Sequence, residues 1–225
     1  MGSKGNNRHV KRLASSRYMK INRKSAKFVT KPAPGRHTRD TTISLITLLK
    51  EKLGVANNSK EARSILKSGS VSVNGKAIKE EKYPIGIGDA IHLQKAKESY
   101  RVVPGSKGVF SIDKAAAGEK QAFKVLNKYT VKGNKIMIQL NNGNVIASDN
   151  NVKVNDSVVL EKGKVSSVIR FATGSNCLVV KGIHAPATGK IKGVKPGTSG
   201  REALVEIEGN GASFETAAKN VMVVE

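Results

Sequence analysis

The stretch Asn57–Ile78, NNSKEARSILKSGSVSVNGKAI, leaves the chain little conformational choice. Asn58-Ser59 offers an N-cap, because short polar side chains accept hydrogen bonds from the first free amides of a helix. Glu61 falls in the first turn, where the helix dipole favours an acid. Ala62, Ile65 and Leu66 follow at helical spacing, and Arg63 and Lys67, four residues apart, share one face. Gly69 is placed to end the helix in the left-handed conformation. Val71 and Val73 then alternate with Ser70, Ser72 and Asn74, as in a half-buried strand. Asn74-Gly75 turns that strand back, since both residues tolerate the positive φ of a two-residue hairpin. Upstream, Ile43, Leu45, Ile46, Leu48, Leu49 and Leu53 predict a first helix ending at Gly54. Downstream, Pro84, Gly86 and Gly88-Asp89 predict a loop, and Ala90 to Leu93 a closing strand. The segment reads as two short helices followed by a small sheet.

Lysines and arginines flank this unit, and charge dominates the rest of the chain. There are 40 Lys+Arg against 17 Asp+Glu in 225 residues, a formal net charge of +23. So much positive charge repels itself unless a polyanion neutralises it. Residues 1–40 alone carry 12 basic side chains and the single acid Asp40, or +11 of the +23. Small, basic, Pro and Gly residues dominate them, so this segment is expected to bury little apolar surface and to be mobile without a partner. Pro32, Pro34 and Gly35 mark its boundary. The candidate phosphate-binding side chains here are Arg8, Lys11, Arg12, Arg17, Arg23, Lys24, Lys27, Lys31, Arg36, His37 and Arg39. On the helix-to-hairpin unit they are Lys60, Arg63, Lys67, Ser70 and Lys76, with Glu80 and Glu81 as an acidic flank.

No apolar run approaches a membrane span, no signal-peptide pattern opens the chain, and the lone Cys177 excludes a disulfide framework. An intracellular, soluble protein with no membrane partner is expected. Past Leu93 the pattern turns to strands: KIMIQLNNGNVIAS, NNVKVNDSVVLE and KVSSVIRF alternate with turn residues between them. Ala115 to Lys128 is ambiguous between helix and strand. Leu178–Val180, Ile191–Val194 and Leu204–Ile207 predict three strands of a five-stranded SH3-like barrel, with Gly182 and Gly189 bracketing a tight loop.

Catalytic patterns are missing. There is no P-loop, HExxH, CxxC or GxGxxG, and Gly75-Lys76 is followed by Ala77, which has no hydroxyl for magnesium. The four histidines are scattered, and His92 suits a structural role within its strand. Asp149 and Asp156 suit turns. No cofactor, metal site, small-molecule substrate or enzymatic activity is expected. Aromatic residues make up 4% of the chain, with no Trp, which argues against clustered base-stacking platforms. Recognition of phosphates and shape in folded nucleic acid is what remains.

The helix-to-hairpin stretch resembles the small RNA-binding domain shared by ribosomal protein S-four, tyrosyl-tRNA synthetases and pseudouridine synthases. HVKRLASSRYMKINRK, KPAPGRHTR and KYPIGIGDAI narrow the resemblance to the archaeal/eukaryotic ribosomal family S-four-E. DNNVKVNDSVVL is similar to that family's central domain, and the last strands resemble a KOW motif. The loop GIHAPATGK departs from it in Pro186 and Ala187, and Met19 stands where a Trp is common. The resemblance implies an α+β, multidomain chain: a basic extension over 1–41, the RNA-binding domain over 42–98, a β-rich domain over 99–172 and a KOW domain over 173–225. It also implies a cytoplasmic constituent of the small ribosomal subunit, bound to its ribosomal RNA and to neighbouring ribosomal proteins. In relatives the second helix and the start of the hairpin face RNA, which matches Lys60, Arg63, Lys67, Ser70 and Lys76. The alternative is a free regulatory or RNA-modifying protein using the same small domain.

Overall fold

The computed structural model describes residues 9–38, 41–106, 109–115, 121–148, 151–161, 164–209 and 212–224. Two compact units emerge. One comprises Met1–Arg101 with Ile112–Ala115, the other Val102–Ser111 with Ala116–Glu225.

The first unit opens with β1 (Val10–Lys11), two 3-10 turns (Arg12–Ala14 and Arg17–Met19) and β2 (Phe28–Val29). β1 and β2 pair antiparallel, Val10 opposite Val29. Val10, Tyr18, Met19, Ile21 and Val29 are all buried. The expectation of a segment with almost no packed surface therefore does not hold for residues 9–38. Its few apolar residues are spaced too irregularly to show a periodicity, yet they converge.

After β3 (Ile43–Ser44) comes α1 (Leu45–Glu51). The predicted helix is shorter than expected at both ends: Ile43 is in a strand, and the chain leaves the helix at Lys52 before Gly54 turns with φ +64°. Leu45 to Leu49 are all buried, so this helix is covered on every side. Its first amides are satisfied from outside, Leu45 N by the Tyr83 carbonyl (2.9 Å) and Ile46 N by that of Glu81 (3.1 Å).

α2 (Ser59–Lys67) packs on α1 and is amphipathic, with Ala62 and Leu66 buried and Lys60, Arg63 and Lys67 exposed. Asn58 caps it as expected: its Oδ1 accepts from Glu61 N at 2.9 Å, and Glu61 Oε2 accepts from Asn57 N at 2.9 Å. Asn58→Ala should lower stability by about 1 kcal/mol and Asn58→Gly by only a few tenths, read as a shift in urea midpoint. An Asn58→Ala protein with the parent midpoint would show that the cap bond contributes nothing. Gly69 ends the helix at φ +73°.

β4 (Val71–Val73) and β5 (Lys76–Ala77) form the expected hairpin, with Asn74 at φ 49° and Gly75 at φ 80°. β6 (Pro84–Ile85) pairs with β3, and β7 (Ala90–Leu93) with β4. β7 also pairs with β8 (Glu98–Pro104), Ala90 opposite Arg101. His92 is structural, its Nδ1 2.9 Å from the Ser99 hydroxyl.

The buried carboxylate of Asp89 ties the loop together. Oδ1 accepts from Asn74 Nδ2 (2.7 Å), and Oδ2 accepts from Gly86 N (2.9 Å) and faces His37 Nε2 (2.9 Å). A Cβ at Gly86 would lie 2.5 Å from the His37 ring, so only glycine fits there.

The second unit follows β9 (Phe110–Lys114) with two five-stranded antiparallel sheets. The first contains β10 (Gln121–Val131), β11 (Lys135–Leu140), β12 (Val145–Ala147), β13 (Ser157–Glu161) and β14 (Lys164–Ile169), in the order β12-β11-β10-β13-β14. The ambiguous stretch is thus strand from Gln121. Phe123, Val125, Ile138, Leu140, Val152, Val158 and Leu160 form its core. Asp156 takes the turn role expected of it, accepting from Lys153 N (2.8 Å) and Phe171 N (2.9 Å). Asp149 lies outside the described residues.

The second sheet contains β15 (Asn176–Val179), β16 (Thr188–Lys195), β17 (Leu204–Gly209), β18 (Ala212–Ala217) and, after a 3-10 turn at Ala218–Asn220, β19 (Val221–Val223). Its order is β18-β17-β16-β15-β19. The five expected strands are present, but the sheet is open: the edge strands β18 and β19 are not paired with each other. Cys177, Val179, Ile191, Val205, Ile207, Val221 and Val223 make its core. Burial pushes the Cys177 thiol up, and a backbone hydrogen bond with Gly189 partly opposes this. At Gly189 a Cβ would sit 2.5 Å from the Glu208 carbonyl oxygen, which is why this crowded strand position is glycine.

Lys124 crosses between the two sheets. Its side chain is buried, and Nζ donates to the carbonyls of Ala218 (2.5 Å) and Val221 (2.7 Å).

Candidate nucleic-acid interface

The helix-to-hairpin unit gathers cations because α2 stops at Gly69 and the chain folds straight back. Lys60, Arg63 and Lys67 stand exposed on α2, and Lys76 stands exposed on β5. Arg63, Leu66, Lys67, Lys79 and Glu81 line a shallow cavity. Lys79 was not among the sequence candidates. A Cβ at Gly69 would lie 3.8 Å from Lys79 Cε, so the lysine stem runs over the end of the helix. The signal that could have found it is its place just past the hairpin, where the chain returns toward α2.

Glu81 is not remote from this face. Its carboxylate accepts from Arg63 Nε, so this member of the acidic flank adjoins the basic face. The Arg63 side chain is 51% exposed, so the pair is a solvated one and worth little to stability. Three cations against one carboxylate still leave the cavity positive. Ser70 is buried, and its hydroxyl lies 2.7 Å from that of Ser68, which in turn donates to the Ile65 carbonyl. It braces the helix end instead of facing solvent.

The N-terminal candidates divide by burial. Lys11, Arg17, Lys24 and Lys27 are exposed, with Lys27 Nζ 5.5 Å from the Phe28 ring centre. Arg23 is half-buried and donates to the carbonyls of Leu13 and Ser15 (3.0 and 3.2 Å). Lys31 is half-buried, as is Arg36, which lies over the Tyr83 ring at 5.9 Å. Arg12 and His37 differ from all of these. The Arg12 side chain is 6% exposed and clamps Glu51 with two bonds of 2.8 and 2.7 Å, while its Nε donates to the Asn22 carbonyl. His37 is equally covered and faces Asp89. Arg12 holds the segment onto α1 and His37 holds it onto the loop before β7, which corrects their expected place on a phosphate-binding surface. Arg8 and Arg39 lie outside the described residues.

Among the described residues there is no cluster of three or more His, Cys, Asp or Glu able to hold a metal ion. None of the described helices is long and apolar enough to cross a membrane.

Comparison with known proteins adds to this geometry. Three family models match: the RS4NT (NUC023) domain over residues 4–40, the S4 domain over 45–91, and Ribosomal family S4e over 96–165. The chain is 34% identical over 218 residues to a small ribosomal subunit protein eS4 of Methanocella arvoryzae, covering 96% of this chain and 93% of that one. It is likewise 34% identical over 223 residues to the eS4 protein of Methanothermobacter thermautotrophicus, covering 96% and 92%. Among solved structures, the crystal structure of 30S ribosomal protein S4e from Thermoplasma acidophilum superposes with a TM-score of 0.70 at 27% identity. That match covers 82% of this chain and 95% of the other.

Proposed function

This chain belongs to the ribosomal S4e family, and from that premise we propose that it is a structural constituent of the small ribosomal subunit, not an enzyme. It binds and stabilises small-subunit ribosomal RNA through its basic surfaces, in the cytoplasm and beside neighbouring ribosomal proteins. The observation that carries this reading is a match over 96% of the chain to relatives of that name, with exposed cations grouped on α2. Nothing among these relatives favours a free regulatory or RNA-modifying protein.

We further propose four parts: a basic extension over 1–41, an S4-like RNA-binding domain over 42–98, a β-rich domain over 99–172 and a KOW, SH3-like domain over 173–225. The three family matches fall near the first three of these. Five strands around one apolar core support the fourth.

The phosphate contacts of the second part are Arg63 and Lys67 with Lys60, Lys76 and Lys79. Arg63→Ala with Lys67→Ala should weaken binding to small-subunit ribosomal RNA by about 1–3 kcal/mol, because charge-assisted hydrogen bonds are lost. The thermal melt should hardly move, since both side chains are exposed. Glu81→Gln should bind as well as the parent or tighter, because it releases Arg63. In lysate the parent chain should sediment with small subunits and the double variant less so. Full RNA affinity in the folded double variant would remove this face from the interface. A parent chain sedimenting free of subunits would overturn the ribosomal role.

A further inference from the structure

The outward face of β10, β11 and β12 has an unusual composition. Tyr129 pairs with Met137, which pairs with Ala147, so the three form one row across the strands. Val131 and Lys135 flank that row on one side, and Asn127, Gln139 and Val145 on the other. Alternation sends Ile138 and Ile146 the opposite way, into the core. On this outward face Tyr129, Val131 and Val145 are 43–44% exposed. A contiguous exposed apolar face of this kind marks an interaction site.

Its surroundings say what kind of partner fits. Between Gln121 and Ser148 the chain holds four lysines and no Asp or Glu. Lys124 is buried, whereas Lys132 in the hairpin turn and Lys135 at the start of β11 are exposed. An aromatic ring on a sheet with a cationic rim matches a nucleotide, which offers a π-face and a phosphate together. The side-chain amides of Asn127 and Gln139, joined at 3.0 Å, still hold a donor and an acceptor for a base edge. Phe28 is the other strongly exposed aromatic among the described residues, and His9 and Lys27 lie against its ring. Tyr129 has no such cover among them.

We propose that this face is a second RNA contact, on which Tyr129 stacks an unpaired base while Lys132 and Lys135 meet the adjoining phosphates. It belongs to the second unit, whereas α2 belongs to the first, and it adds a single-strand element to the proposed role in which the other basic surface meets phosphates.

The chain contains no tryptophan, so Tyr129→Trp introduces a sole tryptophan, which can be excited selectively beside the remaining tyrosines of the full-length protein. Titration with a single-stranded oligouridylate should quench it to saturation. Tyr129→Ala should weaken binding of the same oligonucleotide about 5- to 150-fold, the range of one base–aromatic stack, while Tyr129→Phe keeps it. Lys132→Ala with Lys135→Ala should flatten the salt dependence by roughly 0.7 per phosphate lost. A thermal melt of each variant checks folding, and the exposure of all three positions predicts no change. An unquenched reporter in a chain that still binds ribosomal RNA overturns this inference and leaves the proposed ribosomal role standing. Quenching by ribosomal proteins in place of RNA overturns it too, and assigns the face to a protein. A parent chain that binds no RNA of any kind defeats both readings.

Discussion

Arg12→Ala should destabilise the first unit by up to about 3 kcal/mol, the low end of the cost of breaking a buried ion pair, because it strands a largely covered carboxylate. Glu51 is 17% exposed on its side chain and receives both terminal nitrogens of Arg12. The truncated alanine would leave that carboxylate without its guanidinium and leave the Asn22 carbonyl without the Arg12 Nε donor. Arg12→Lys should recover only part of the loss, because a single ammonium cannot reproduce the planar two-point clamp. Arg12→Met with Glu51→Met should recover more, since neither charge is then buried alone. Denaturant midpoints for the four proteins decide the matter. An Arg12→Ala protein with the parent midpoint, but an RNA salt slope shallower by one phosphate, would return Arg12 to the binding surface.

Lys124 gives the second large effect, and it depends on pH. Burial pushes its ammonium from the ordinary 10.5 down to about 8, while the carbonyls of Ala218 and Val221 favour the charged form and work against that shift. With the folded value below the unfolded one, the unfolded chain holds a proton between pH 8 and 10.5 that the folded chain releases. Folding must then become more favourable as pH rises through that window, by up to roughly 3 kcal/mol at about 1.4 kcal/mol per unit of difference. Other lysines titrate nearby, so the comparison that isolates the effect is with Lys124→Met. Parent stability minus variant stability should climb from pH 8 to 10.5. A flat difference would show that the two carbonyls hold the proton fully.

Local chemistry was legible wherever the deciding contacts are local. The cap of Asn58, the helix end at Gly69 and the turn at Asn74-Gly75 are set within three or four residues, and each stands where its pattern placed it. Charge alone gave the basic character of α2 but not the depth of any side chain. Arg12 and His37 look like their exposed neighbours in a basic run, and what separates them is Glu51 and Asp89, 39 and 52 residues away. Lys79 was missed for the same reason, because its place over Gly69 depends on how the hairpin returns. In β10 the buried Lys124 sits between Phe123 and Val125, so three consecutive buried residues interrupt the alternation that would have marked a strand. Five strands around one apolar core were anticipated for the C-terminal sheet, whereas closure depends on how two edges approach, which no periodicity encodes.

The carboxylate of Asp89 also sets a timetable. His37 leaves the ribosome's synthetic centre before its partner exists, and at about 5–20 residues per second the 52-residue interval lasts roughly 3–10 s. Glu51 follows Arg12 sooner, yet it too comes only after the basic run has been made. During that time the densest block of positive charge is an untethered polycation, surrounded by the very polymer it attracts. When Asp89 arrives, His37, Asn74 and Gly86 close around it and add a second hold to the one that Glu51 already has on Arg12. A nascent chain of this design most needs shielding from stray RNA while neither carboxylate has been made; Lys11, Arg17, Lys24 and Lys27 stay exposed in the folded chain.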